Sequence, residues 1–220
     1  MNAQEIRACM SRVAAVRPVF HSEADFQHEL AMELRRSGYG VRLEVPHSIA
    51  VNGAQVGAEL DILVIEPKTQ RRTAIELKYV TARKTVVHAG ETFNLCQNWG
   101  TNLSRFDCWA DFQRVGGLVA AGGAHCGFAI FLTNAEDAWL VDAGPTGIMA
   151  QQFSIHDNRN VATGAVMDWV PNAPPVGSVL KKRLPPYSPI TVQTHTVCTW
   201  TDYSVLPEPN GRFRYLLLAA

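Results

Sequence analysis

The chain of 220 residues has few cysteines and no long apolar run. Its five cysteines are scattered and form no C-x-x-C pair, which argues against a disulfide framework and against a structural zinc site. No segment approaches the ~20 consecutive apolar residues that a membrane-spanning helix needs. The first turns of the chain carry charged side chains and do not resemble a signal peptide. We therefore expect a protein of the reducing cytoplasm, without a membrane partner.

The chain also lacks an excess of charge of either sign, with 20 basic and 20 acidic residues. A strongly basic chain would attract nucleic acid by charge alone, and this composition gives no such attraction. Binding of that kind would depend on a local patch, for which residues 66–84 are a candidate. The alternative interpretation of this segment is a solvated turn between strands. Its basic side chains are Lys68, Arg71, Arg72, Lys78, Arg83 and Lys84.

Several common catalytic signatures are absent. The seven histidines form no H-E-x-x-H motif and are not paired with cysteines. We therefore expect them to occupy ordinary surface or core positions. The glycine pairs at 116–117 and 122–123 are not followed by Gly-Lys-Ser/Thr, which excludes a phosphate-binding loop of that type.

Apolar periodicity predicts helices and strands over the first two thirds of the chain and one further strand near its end. Residues 22–37 form the best-marked helix, with Ser22 as N-cap, Asp25 three residues later and Gly38 as the closing residue. Asn52-Gly53 predicts a turn, and six prolines within 171–190 predict a long irregular segment. The other expected elements are a helix over 4–17, strands over 39–45, 58–65 and 73–80, a helix over 91–115 that is broken near 98–100 and ended by 116–117, and strands over 125–133 and 212–218.

Charged side chains interrupt two of these apolar strands. Asp61 lies within the first strand, and Glu76 and Lys78 lie within the next. Such runs rarely contain charges unless the charges are paired or take part in chemistry. Glu76 and Lys78 are two residues apart and leave the same face of their strand, and Asp61 is expected beside them. The pattern predicts a metal site for phosphodiester hydrolysis, with a structural Asp61–Lys78 pair as the alternative.

The residue types suit that chemistry. Phosphodiester hydrolysis needs a metal ion to shield the phosphate and a water molecule as nucleophile. Mg²⁺ is typically held by one or two carboxylates with waters and substrate oxygens, and Mn²⁺ is expected as a substitute. Asp61 and Glu76 would supply the carboxylates, and the backbone carbonyl of Leu77 a further ligand. Lys78 would orient or help to deprotonate the water and stabilise the developing charge.

These residues, in the order α-β-β-β-α-β over 22–133, resemble the PD-(D/E)XK nuclease superfamily. Asp61 corresponds to the first acid of the motif, although Leu60 replaces its proline, and Glu76-Leu77-Lys78 corresponds to E-x-K. The resemblance implies a restriction-endonuclease-like fold of the α/β (α+β) class, with a central mixed sheet flanked by helices. It also implies Mg²⁺-dependent cleavage of DNA or, less often, RNA.

The superfamily often adds an acid or a glutamine from the helix that precedes the three strands. Glu23 is the first candidate for this position, as a catalytic residue and metal ligand, and Gln27 is the second. The two are about one turn apart on one helix face. Comparison with the short Holliday-junction resolvases favours Gln27 instead.

The whole chain, 1–220, is expected to form one domain, with a nuclease-like core over 22–133 and a C-terminal extension over 140–220 that packs on it. The expected partner is nucleic acid, with DNA first. Because the charges balance, a homodimer or a partner protein could supply the missing basic surface. The alternatives are a catalytically inactive nucleic-acid-binding or protein-interaction module on the same fold, and a non-nuclease α/β protein.

Several other polar and aromatic residues have two interpretations. For the polar residues of the later helix, a solvated face is favoured over a role behind the site or a partner contact. Packing is favoured for Tyr79, Trp200 and Tyr203, with base stacking as the alternative for the last two. Glu44 and Glu59 are expected to be exposed, with an accessory or supporting role at the site as the alternative, and Gln97 is a weak further candidate. The helical residues in question are Arg105, Asp107, Asp111 and Arg114.

Overall fold

The computed structural model describes residues 1–51, 54–98, 100–141, 149–170 and 189–220. The turn predicted at Asn52-Gly53 and most of the proline-rich segment lie outside these residues. Within the described ranges, no helix is long and apolar enough to cross a membrane. The helices are α1 (Ala3–Val16), α2 (Glu23–Arg36) and α3 (Thr101–Ala120), with 3₁₀ turns at Glu136–Ala138 and Gln151–Phe153. The strands are β1 (Gly40–Val51), β2 (Ala54–Ile65), β3 (Arg72–Val80), β4 (Lys84–His88), β5 (Glu91–Leu95), β6 (Cys126–Thr133), β7 (Asn160–Val161), β8 (Val166–Met167), β9 (Ile190–Thr191), β10 (Thr196–Val197), β11 (Trp200–Val205) and β12 (Arg212–Ala219).

Helix α2 forms where its capping residues predict it. The Ser22 hydroxyl accepts a hydrogen bond from the Asp25 amide at 3.2 Å, which satisfies one of the free N–H groups of the first turn. Phe26, Leu30 and Leu34 are fully buried on one side of the helix. Gly38 has a φ of +91°, a conformation that glycine adopts without steric cost, and there the chain turns towards β1.

A six-stranded mixed sheet forms the centre of the molecule, in the order β1-β2-β3-β6-β12-β11. Neighbouring strands are antiparallel except β3 and β6, which are parallel and are connected through α3. The α/β (α+β) class and the mixed sheet flanked by helices are therefore confirmed. Strands β11 and β12 extend the sheet beyond β6, so the C-terminal part of the chain shares this sheet.

The prediction of a helix over 91–115 is wrong at both ends. Residues Glu91–Leu95 form a strand that pairs with β4, and the helix begins at Thr101. Phe93 and Leu95 are buried while the residues between and before them are exposed, a period of two that suits a hairpin. The helix also continues through 116–117, where it packs on β6. The packing is close: a Cβ added to Gly127 of β6 would lie 2.9 Å from the Cβ of Val115.

Each face of the sheet has its own apolar cluster. Ile75, Leu77 and Tyr79 of β3 belong to the cluster under α1 and α2. Ala74 and Val80 belong to the cluster under α3, so the charged Glu76 and Lys78 interrupt the α3 face of the strand. Tyr79, Trp200 and Tyr203 are all buried, which confirms packing as their role.

The basic segment 66–84 does not form one surface. Lys68, Arg71 and Arg72 are exposed around the β2–β3 turn. In contrast, Lys84 is buried, and its ammonium group donates to the carbonyl oxygens of Pro207 and Pro209. Lys78 is enclosed in the site described below.

Candidate functional site

The ladder between β2 and β3 extends from the pair Ile65–Arg72 to the pair Ile62–Ile75. Beyond that point, side chains accept the backbone N–H groups on this edge of β3. The Leu77 amide donates to Asp61 Oδ2 at 2.6 Å, and the Tyr79 amide donates to Glu23 Oε2 at 2.7 Å. The candidate site lies where side chains replace the backbone pairing of the two strands.

Two carboxyl groups, those of Asp61 and Glu76, meet at this point. Only 2% of Glu76 is exposed. Burial, opposed by the Leu77 amide, raises the pKa of Asp61 to about 6. Burial also raises the pKa of Glu76 to about 7, against the opposing effect of Arg114. The interaction between the two carboxyl groups lowers the pKa of Asp61 and raises that of Glu76.

Helix α3 supplies a second layer of charge over Glu76. Arg114 Nη2 lies 2.9 Å from Glu76 Oε2 and 2.7 Å from Asp111 Oδ1. Burial raises the pKa of Asp111 to about 7, although Arg114 and Lys78 oppose the shift. Because Asp111 is buried and faces the site, the favoured interpretation of a solvated helix face is wrong for it. Arg105, 2% exposed, is buried as well.

The spacing of charged residues along α3 indicates this second layer of charge. Asp107, Asp111 and Arg114 follow one another at intervals of four and three residues, which places them along one side of a helix. Burial of Asp111 and pairing of Arg114 with a strand residue depend on how α3 lies over the sheet. Sequence reasoning therefore identified the residues and missed their partners.

The side chain of Lys78 extends from β3 towards several carboxylates. Its ammonium nitrogen lies 3.5 Å from Glu23 Oε1, and 26% of its side chain is exposed. Burial lowers the pKa of Lys78, but Asp111, Glu23 and more distant carboxylates outweigh that effect and raise it. The geometry therefore keeps Lys78 protonated, so it can donate hydrogen bonds and stabilise negative charge.

Gln27 lies on the other side of Asp61. Its side-chain amide donates to the Asp61 carbonyl oxygen at 2.9 Å and to Glu44 Oε1 at 2.5 Å. Glu44 is exposed, as expected, but has a φ of +49°, an uncommon conformation for a residue with a side chain. The recorded ladder pairs Leu43 with Ile62 and Val45 with Leu60 and omits Glu44 and Asp61. Gln27 thus supports the backbone where β1 and β2 are irregular.

A cleft of about 480 Å³ opens next to these residues. Glu23 and Lys78 line one wall, Ser104 and Asp107 of α3 line another, and Asn94 belongs to the hairpin that closes it. Neither Asp61 nor Glu76 is among the lining residues that the structure describes. Lys78 and Glu23 therefore separate the cleft from the carboxyl pair.

The donor set fits a hard divalent cation in one respect. Asp61 is partly buried and Glu76 is buried, and a cation would relieve the mutual repulsion and desolvation of their carboxyl groups. Mg²⁺ often has only one or two carboxylate ligands. In the described part of the chain, no group of three or more His, Cys, Asp or Glu residues is placed to hold a metal ion. Glu23 instead contacts Lys78 and the β3 backbone. In extended backbone, the carbonyl and the amide of one residue point to the same edge of the strand. The Leu77 carbonyl therefore lies on the edge of β3 where the Leu77 amide meets Asp61.

Comparisons with known proteins add little to this geometry. No family model matches the chain, and no curated protein matches it. A solved structure described as "Crystal structure of SSO0001" is similar at 14% identity with a TM-score of 0.24. The similarity covers 58% of this chain and 61% of that one.

Proposed function

We propose that the protein is a metal-dependent nuclease that hydrolyses phosphodiester bonds in DNA, with RNA as the second choice of substrate. One observation supports this most strongly: the carboxyl groups of the partly buried Asp61 and the buried Glu76 interact where the backbone pairing of β2 and β3 ends. Lys78 follows Glu76 by two residues on the same strand and faces the same acidic group. Placing one buried and two partly buried ionisable groups together is costly for stability, so a chemical role explains their placement.

Each residue then has a distinct part in the proposed reaction. Asp61 and Glu76 would hold Mg²⁺ or Mn²⁺, which when bound would shield the phosphate and lower the pKa of a bound water. Lys78, kept protonated by its acidic neighbours, would donate to a phosphate oxygen or orient the attacking water. Glu23 would hold Lys78 in place, and Gln27 would hold the backbone of Asp61.

The cleft is the proposed position of the substrate strand next to Lys78. Its described lining includes Lys78 as a cation and Glu23 and Asp107 as acids, so it offers little attraction for a phosphate backbone. Since the whole chain has no net charge, a second subunit or a partner protein is the proposed source of further basic surface.

A catalytically inactive binding module is the second candidate, and one observation favours it. Glu76 is 2% exposed and paired with Arg114, so its oxygens are already engaged within the protein. A protein that uses this fold only for binding would retain such a pair without any need for metal.

A cleavage assay separates the two candidates. Wild type, Asp61→Ala and Lys78→Ala are incubated with plasmid, single-stranded DNA and RNA in Mg²⁺, Mn²⁺ or Ca²⁺. We expect cleavage by the wild type in Mg²⁺ or Mn²⁺, and a loss of about 10³-fold in each variant. Glu59→Ala, which removes an exposed acid two residues from Asp61, is the matched control and should retain activity.

Two outcomes contradict the proposal in different ways. Cleavage that survives both substitutions shows that the activity lies elsewhere. Nucleic-acid binding without cleavage by the wild type, in any of the three metals, favours the binding module instead.

A further inference from the structure

Arg114 of α3 is bound on both sides by carboxylates. Its Nη2 and Nε lie 2.9 Å and 3.4 Å from the two oxygens of Glu76, and Nη2 also lies 2.7 Å from Asp111 Oδ1. Glu76 and Asp111 are 2% and 4% exposed, whereas 34% of the Arg114 side chain is exposed. The cation thus reaches from solvent into a buried acidic group.

This arrangement compensates buried negative charge in the folded protein. Two or more carboxylates withdrawn from water require a nearby positive charge, and a planar guanidinium can satisfy both oxygens of one carboxylate. Arg114 supplies that charge within the chain. A divalent ion at Glu76 would use the same oxygens and would lie beside the guanidinium, so the two cations oppose each other there.

We propose that Arg114 is the resident counter-cation of the Asp61–Glu76 pair and limits the affinity of the site for divalent metal by competing for Glu76. This inference rests on the metal site of the proposed function. Asp111 acts as the second anchor, which keeps the guanidinium close to the site when its contact with Glu76 is released. Arg114 is therefore a positioning residue, acting through Glu76.

The proposal predicts opposite effects for the two α3 residues. Arg114→Met keeps much of the aliphatic stem and removes the charge, so metal should bind at least tenfold more tightly. Arg114→Lys keeps the charge and loses the planar fork, so its affinity should lie between those of Arg114→Met and the wild type. Asp111→Asn leaves the guanidinium with Glu76 as its charged partner, so metal should bind more weakly.

Isothermal titration calorimetry with Mn²⁺ at pH 8 tests these expectations on the full chain. Circular dichroism and thermal melting establish that each variant is folded, and Arg114→Lys tests the order of affinities if Arg114→Met is not. The matched control is Arg212→Met, which removes an arginine that is paired with Asp202 between β11 and β12. Its Mn²⁺ affinity should equal that of the wild type.

The outcomes distinguish this inference from the proposed function. Equal or weaker Mn²⁺ binding by both folded Arg114 variants overturns the counter-cation role and leaves the metal site in place. Absence of Mn²⁺ binding in wild type and variants alike overturns the metal site and this inference with it. Tighter binding by Arg114→Met that Asp61→Asn abolishes in the double variant supports both.

Discussion

The two halves of β3 have different neighbours along the edge that faces β2. From Arg72 to Ile75, the neighbour is the backbone of β2 in a regular antiparallel ladder. From Leu77 onward, the amides of this edge are accepted by the carboxylates of Asp61 and Glu23, and then by the Asn98 side chain at Thr81. Beyond Ile75, two carboxylates replace the backbone of β2 as acceptors on this edge of β3, and the Asn98 contact follows just past the end of the strand.

The difference separates a half of the strand that is paired by backbone from a half that is paired by side chains. Backbone pairing satisfies N–H and C=O groups without placing charge in the interior. Pairing by carboxylates satisfies the same N–H groups but buries acids, which raises the pKa values of Asp61 and Glu76. The first half places no charge in the interior, whereas the second half withdraws the Asp61 and Glu76 carboxyl groups from water at a cost in stability.

The largest expected effect on stability lies in the paired half. Ile75 is fully buried and pairs with Ile62, so Ile75→Ala should lower the free energy of unfolding by about 3–4 kcal/mol through lost contacts and a cavity. Activity per folded molecule should stay near that of the wild type. Urea unfolding and cleavage assays on the same samples measure both, with Ile75→Val as a milder control at about 1 kcal/mol.

The acidic half should make stability depend on pH. Burial raises the pKa of Asp61 to about 6 and those of Glu76 and Asp111 to about 7, from ordinary values of 3.8 for Asp and 4.5 for Glu. The folded protein therefore binds more protons than the unfolded chain in this range, and its stability falls as pH rises through these values. Between pH 5 and pH 8 we expect a loss of about 2–3 kcal/mol, because coupled groups titrate together and their shifts do not add.

Urea unfolding at pH 5 and pH 8 measures this dependence. Asp61→Asn keeps an acceptor for the Leu77 amide and removes a buried charge, so it should reduce the difference between the two pH values. Asp202→Asn is the control. Arg212 lowers the pKa of Asp202 below its ordinary value of 3.8, so this carboxyl group stays ionised between pH 5 and pH 8. A wild type that is more stable at pH 8 than at pH 5 would contradict the assignment of a buried acidic cluster.

A smaller effect is expected where α2 meets the second half of β3. Glu23→Ala leaves the Tyr79 amide without its carboxylate acceptor and should cost about 1–2 kcal/mol of unfolding free energy. Glu23→Gln keeps an acceptor oxygen and should cost less, although it removes the charge beside Lys78. Chemical denaturation measures the difference, and Glu29→Ala on the same helix should change stability by less than about 0.5 kcal/mol. Equal losses of unfolding free energy in Glu23→Ala and Glu23→Gln would show that the charge of Glu23 contributes more to stability than its contact with the Tyr79 amide.

Local signals predicted the helices and strands that carry the site. The Ser22 cap, the Gly38 terminus and the apolar alternation of β3 depend on residues near in sequence, and each is found where expected. Sequence reasoning misses the hairpin Lys84–Leu95 because each of its two strands has only 5 residues, too few for a clear alternation. Helix α3 passes through Gly116 because its contact with β6 outweighs the low helix propensity of glycine.

The sequence by itself determined which side chains interrupt the apolar strands, and hence that Asp61, Glu76 and Lys78 are the candidate site residues. Only the tertiary structure decided their partners: Arg114 and Asp111 at Glu76, Glu23 at Lys78, and Gln27 at the Asp61 carbonyl. The physical reason is that periodicity along a strand or helix determines the face from which a side chain leaves. Contacts between charges of different elements depend on how α2 and α3 pack on the sheet, which is decided by the buried apolar clusters on its two faces.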